Sequence, residues 1–283
     1  MQVDAKFHAE TGTLTYLVWD EETLDAILID PVLDFDPQAI RFSTDSLETV
    51  YAMIEQRGLV LRGVLDTHAH ADHFTGMAAV RTRYGCPTVA GDGIRRVQEV
   101  FVPLYGIEDE CPMDGSQFDH LMTHQEERQF GSIRVRAIHT PGHTPSCTCY
   151  MVDDLLFAGD TMFMPDFGTA RADFPGADAR ALYRSIGEIL SLPDETRLFT
   201  GHDYRPGGRE PRWMATVAEQ KRDNPHLQDM NEDRFVAMRE RRDAELPLPD
   251  RMLAALQINI RGGAMPPAES NGQRYLKIPL DRF

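Results

Sequence analysis

Cysteine is scarce in this chain of 283 residues: there are four, and no Cys-x-x-Cys pair occurs. Cys86, Cys111, Cys147 and Cys149 therefore read as buried thiols in a reducing compartment, not as a disulfide framework. Cys147 and Cys149 lie two apart in a predicted strand, so they share a face and are poorly placed to bridge each other. No apolar run approaches the roughly twenty residues that cross a bilayer. Met1 to Lys6 lacks a basic segment followed by an apolar one, which argues against a secretory signal. The expected location is the cytoplasm, with no membrane partner. Positive charge is also short: 29 Lys and Arg against 45 Asp and Glu leave a formal net charge of -16. Such a surface repels nucleic acid, and an anionic substrate would need local Arg or Lys working against the overall field. Internal repeats and low-complexity segments are absent. Pro247-Leu248-Pro249 is the one linker-like spot. The expectation is a catalytic domain over residues 1–245, with a C-terminal helical extension, 246–283, packed on it.

Apolar content of 42% is enough for a sizeable core. Residues 13–19 and 26–29 are strand-formers, and Asp20-Glu21-Glu22 between them predicts a hairpin turn. Asp45-Ser46-Leu47-Glu48 has the capping-box pattern, and Leu47, Val50, Tyr51 and Ile54 recur at helical spacing before Gly58. A short helix is expected around 76–84 and a strand at 88–90. Another helix follows Ile94 and ends at Pro103, and Gly106 to His124 reads as an irregular loop or lid. Ile133, Val135 and Ala137 alternate with Arg134 and Arg136, as in a half-buried strand. Residues 149–152 and 155–158 form a hairpin, residues 179–190 a helix, 197–200 a strand, and 211–223 and 231–242 two further helices.

Four segments share one design: an apolar strand, a small residue, then a residue able to ligate a metal. They are Val64-Leu65-Asp66-Thr67-His68, Ile138-His139-Thr140-Pro141-Gly142-His143, Leu156-Phe157-Ala158-Gly159-Asp160 and Leu198-Phe199-Thr200-Gly201-His202. The first runs on as His68-Ala69-His70-Ala71-Asp72-His73, three imidazoles and a carboxylate within six residues. Borderline transition metals take these ligand types. Each segment alone is weak, since a lone His after a strand is usually a hydrogen-bonded core or surface residue. Together they converge on one metal site. Loops at the ends of strands can present side chains at one rim of a sheet.

His-x-His-x-Asp-His, then Gly-His, Gly-Asp and Gly-His in that order, resembles the signature of the metallo-β-lactamase superfamily. The resemblance spans residues 12 to about 205. It implies an αββα sandwich: two mixed sheets face to face, helices outside, and the metal at one edge. Two activities in that superfamily keep all seven ligand-type residues. Glyoxalase II enzymes hold two metals, usually zinc, and hydrolyse a glutathione thioester. Persulfide dioxygenases hold one Fe(II). The flanks Ala26 to Leu33, His139 to Pro145, Gly168 to Phe174 and His202-Asp203-Tyr204 look like the dioxygenase group. The stretches Met162 to Gly168 and Asn259 to Pro267 are similar to its bacterial Blh-like branch. Ala172 departs from the Cys common there.

This resemblance implies Fe(II), one per chain, on His68, His143 and Asp160. His70, Asp72, His73 and His202 would surround those ligands, and glutathione persulfide and O2 would be the substrates. Arg171 and Tyr204 are the candidate substrate-binding residues. For Arg171 a salt bridge to Asp173 competes with a clamp on a glutathione carboxylate. Arg239, Arg241 and Arg242 read most simply as a solvated helix face. The expected partners are small molecules, and the expected assembly, if any, is a homodimer.

Overall fold

The computed structural model describes residues 1–282. In chain order it runs β1 (Gln2–His8), β2 (Thr13–Trp19), β3 (Asp25–Ile29), β4 (Val32–Asp36), β5 (Arg41–Ser43) and α1 (Asp45–Arg57). Next come β6 (Val60–Leu65), β7 (Phe74–Thr75), α2 (Met77–Tyr84), β8 (Thr88–Gly91), α3 (Ile94–Tyr105) and β9 (His120–Met122). The second half runs β10 (Glu127–Phe130), β11 (Ile133–His139), β12 (Thr148–Val152), β13 (Leu155–Phe157), α4 (Ala179–Leu190) and β14 (Arg197–Phe199). It closes with β15 (Met214–Thr216), α5 (Val217–Asp223), α6 (Glu232–Asp243) and α7 (Met252–Asn259).

Two sheets, in the orders β1-β2-β3-β6-β8-β9 and β10-β11-β12-β13-β14-β15, pack face to face. Period-two alternation decides which residues meet between them. Leu14, Tyr16 and Val18 of β2 and Ile27 and Ile29 of β3 face Val135 and Ala137 of β11 and Tyr150 and Val152 of β12. The outer face of the first sheet is covered by α1, α2, α3 and α7. On the other side, Leu182, Ile186 and Ile189 of α4 lie with Phe235 of α6 over the second sheet. Each such side chain contributes roughly 1.5–3 kcal/mol on leaving water. The αββα sandwich is therefore present.

Strand direction sets where the site forms. β11 pairs antiparallel with β12, β12 antiparallel with β13, and β13 parallel with β14. Thus β11, β13 and β14 point the same way, and the loops after them emerge at one rim. β3 and β6 are parallel neighbours in the other sheet, so Asp30 emerges beside Thr67.

Several local expectations are corrected. Asp45 does not form a capping box. Thr44 is the N-cap and offers no side-chain bond, while the Ser46 N–H donates to Asp34 of β4 at 2.7 Å, so a neighbouring strand supplies the acceptor. Pro103 does not end its helix: α3 carries it in the last turn and stops at Gly106, whose left-handed φ of 62° suits a glycine cap. The loop expected from Gly106 to His124 contains β9 and buries Cys111 and Phe118. Residues 214–216 are a strand, and α5 begins only after Thr216, where Thr216 and Glu219 make a true capping box. The edge strand β1 was not anticipated. All four cysteines are free and buried. Among the described residues, no helix is long and apolar enough to cross a membrane.

Candidate metal centre

The loop after β6 carries His68 to His73, the turn after β11 carries His143, and the ends of β13 and β14 carry Asp160 and His202. Close backbone approach makes this possible. Gly142 has φ of 142°, and a Cβ there would lie 2.3 Å from the Leu182 backbone. A Cβ on Gly201 would lie 2.5 Å from Asp160 Oδ1.

His68 Nε2 lies 3.8 Å and His143 Nε2 3.6 Å from Asp160 Oδ2. Two donors each about 2.1 Å from one ion are about 3.0–3.5 Å apart, so slight contraction seats a single ion. Both tautomers are set for it. The Thr67 hydroxyl donates to Asp30 Oδ2 at 2.8 Å, so its oxygen accepts from His68 Nδ1 at 3.0 Å. His143 Nδ1 donates to the Arg171 carbonyl at 2.9 Å. Each leaves an Nε2 lone pair toward the centre, and His68 Nε2 is buried with no protein partner. Burial, followed by neighbouring charge from His70, holds His68 well below the usual imidazole range. Burial also lowers His143, although Asp160 opposes it. Neutral imidazoles and an ionised carboxylate are what a metal requires. The residues present fit such an ion.

The other four ligand-type residues divide. His202 donates from Nδ1 to Asp160 Oδ1 at 2.7 Å and from Nε2 to Asp72 Oδ2 at 2.8 Å. Burial disfavours its charge, but Asp160 and Asp72 on either side outweigh burial and hold it well above its ordinary value. Burial would likewise raise Asp160, but His202 outweighs it and the carboxyl stays below its usual range. His70 Nε2 meets Asp30 Oδ1 at 3.2 Å; against the effect of burial, Asp30 raises this imidazole to about 9. His73 Nδ1 lies 3.3 Å from Asp72 Oδ2. His70 Nδ1 and His73 Nε2 are buried without partners, and these two residues with Asp72 bring ligand atoms within 4.8 Å of one another.

A cavity of about 490 Å³ opens onto Asp72, His143 and Asp160. Phe163, Phe167 and Phe174 form apolar wall, and Arg171, Arg242 and Arg251 lie at its edges. Tyr204 lines it and stacks on His202, with ring centroids 5.5 Å apart. Arg171 is already engaged. Its Nε and Nη2 donate to Asp173 at 2.6 and 2.7 Å, its Nη1 to the Pro247 carbonyl at 2.7 Å, and its guanidinium covers Phe174. Of the run Arg239, Arg241, Arg242, the last two are exposed, as expected of a solvated face, and Arg239 is not. Arg239 is buried in an ion pair with Asp243, and Arg242 donates to His226 at 2.9 Å.

Sequence reading missed Asp30, Asp66, Asn259 and Thr13, whose hydroxyl lies 3.1 Å from His202 Nε2 and 3.4 Å from Asp72 Oδ2. Asp30 had a usable signal, since it too follows an apolar strand directly. Asp66 is pushed up to about 7 by burial, with His70 opposing. Asn259 opens a stretch noted for its resemblance, but nothing local marked it as a site residue, because its partners lie far away in the chain.

Fold and site define an αββα protein with a candidate metal centre at the sheet rim. The sequence profile described as "Metallo-beta-lactamase superfamily" matches residues 9–202, and the chain belongs to that superfamily. It is 48% identical over 280 residues to the "Beta-lactamase hydrolase-like protein" of Xylella fastidiosa, covering 99% of this chain but 65% of that protein. The chain thus spans about two thirds of that relative's length. It is 42% identical to "Glyoxylase B2" of Dictyostelium discoideum, covering 96% of this chain and 94% of that one. It is 30% identical to the human mitochondrial "Persulfide dioxygenase ETHE1", covering 92% of this chain and 88% of that one. The crystal structure of ETHE1 from Myxococcus xanthus superposes with a TM-score of 0.75 at 30% identity, covering 93% of this chain and all of that one.

Proposed function

We propose that the chain is a single-iron persulfide dioxygenase, with Fe(II) on His68, His143 and Asp160, which converts glutathione persulfide, O2 and water to sulfite, free glutathione and protons. The observation that carries this reading is the cluster of His68, His143 and Asp160, whose ligand atoms lie within 4.8 Å of one another, with His202 hydrogen-bonded to the far oxygen of Asp160. Two imidazole nitrogens and one carboxylate oxygen are a donor set suited to non-haem Fe(II) with open positions. The similarity to human persulfide dioxygenase supports it.

Bound there, Fe(II) would supply the redox chemistry by which the outer sulfur is oxidised as O2 is reduced. The chain's own residues do the rest. Thr67 and the Arg171 carbonyl fix the two ligand tautomers. His202 holds Asp160 by Oδ1 and leaves Oδ2 toward the centre. Phe163, Phe167 and Phe174 give the approach an apolar wall. Tyr204 faces the substrate, while Arg171 anchors the wall rather than the ligand. His70, held by Asp30, and His73, beside Asp72, stand around these ligands.

A binuclear thioester hydrolase of glyoxalase II type is the second reading. The unpartnered His70 Nδ1 and His73 Nε2 beside Asp72 favour it, as does the name of the Dictyostelium discoideum relative. Metal analysis of protein from iron-replete cells separates the two, together with oxygen uptake on glutathione persulfide and hydrolysis of S-lactoylglutathione. About one iron per chain with oxygen uptake and sulfite is expected. About two zinc per chain, rapid thioester hydrolysis and no oxygen uptake would overturn the assignment.

A further inference from the structure

The superfamily match ends at residue 202, yet a side chain far beyond it reaches under the metal loop. Asn259, the last residue of α7, is 2% exposed. Its Nδ2 donates to the His70 carbonyl at 2.7 Å and to the His73 carbonyl at 2.8 Å. Its Oδ1 accepts from the Thr75 N–H at 2.9 Å. These partners fix the amide's orientation, since a backbone N–H only donates and a carbonyl only accepts. Residues 66–73 form neither strand nor helix, although nearly all of them are buried. Buried carbonyls outside a ladder need donors from elsewhere. A single amide provides two of them, between the residues that carry the candidate ligands. The amide is itself held in place: Ala255, Leu256, Ile258 and Ile260 pack into the core, and Gln98 Nε2 donates to the Ile260 carbonyl at 2.9 Å.

We propose that Asn259 is a positioning residue of the metal centre. Through it the C-terminal extension holds the loop bearing His68, His70, Asp72 and His73 in a shape ready for the ion. The proposal rests on the metal centre and not on the reaction assigned to it. A merely structural Asn259 would affect stability alone, whereas a positioning one sets metal affinity and ligand-field geometry in a protein that still folds.

Asn259→Asp keeps the shape but turns an oxygen toward two carbonyls; Asn259→Ser is the milder change. Gln257→Ala is the control. Gln257 lies on the same helix, is equally buried, and binds the Leu253 and Lys277 carbonyls without touching the loop. The 283-residue chain, stripped of metal, is titrated with Co(II). Affinity, visible absorption spectrum and metal-free melting temperature are recorded. Both Asn259 variants should lose about 10–100-fold in Co(II) affinity and show an altered spectrum. Gln257→Ala should lower the melting temperature with affinity and spectrum unchanged. Wild-type affinity and spectrum in a folded Asn259 variant would overturn the proposal. So would loss of affinity in all three variants in proportion to stability, or failure of both Asn259 variants to fold where Gln257→Ala folds. Oxygen uptake has no part in this readout, so its failure and that of the dioxygenase reading are separable.

Discussion

Replacing Arg171 by Lys separates two roles for the most prominent cation at the cavity. Three of its N–H groups are committed, two to Asp173 in a fork and one to the Pro247 carbonyl. Its backbone carbonyl orients His143. Lysine keeps the charge but can hold only one of these partners well. A charge-assisted bond contributes about 1.5–3 kcal/mol, but Asp173 is 34% exposed, so solvent screens the pair and the combined loss should be nearer 1–3 kcal/mol. At roughly 2–4 °C per kcal/mol for a chain near this size, the melting temperature should fall by about 2–12 °C. Loosening of the 171–174 segment should also weaken iron retention through His143. The assay combines a thermal melt, bound iron, and steady-state oxygen uptake against glutathione persulfide. Lower stability and iron with an unchanged KM is expected. A raised KM with wild-type stability and iron would refute the reasoning and make Arg171 a clamp on the substrate.

Two further outcomes are expected. His68→Ala, His143→Ala and Asp160→Ala should each abolish iron binding, whereas Asp72→Ala and His202→Ala should keep most of the iron and lower activity about 10–100-fold; loss of half the metal in the latter pair would point to a binuclear site. His226, remote from these ligands, is pushed down to about 4 by burial and then by Arg242 and Arg239. A neutral His of this kind contributes stability that is full above its unfolded value of about 6.5 and is lost as pH falls toward 4. Urea midpoints between pH 7 and 4 should therefore decline less in His226→Gln than in the wild type, and parallel declines would refute this.

The sequence by itself determined the parts of this protein that are local. Alternation in 133–137 placed a half-buried strand, apolar spacing and Gly58 placed α1, and the four strand-then-ligand segments named the residues around the centre. Those signals survive because periodicity and ligand chemistry are properties of short stretches. The tertiary structure alone decided what depends on distant partners. Asp34 caps α1 from another strand, and the parallel course of β3 and β6 puts Asp30 against Thr67 and His70. Packing of α6 buries Arg239, which reads as solvated in isolation. His202 is hydrogen-bonded to two carboxylates 130 and 42 residues away, and the His73 and His70 carbonyls to an amide 186 and 189 away. No local pattern carries these, because a hydrogen bond is satisfied by proximity in space, and strand order brings those partners together.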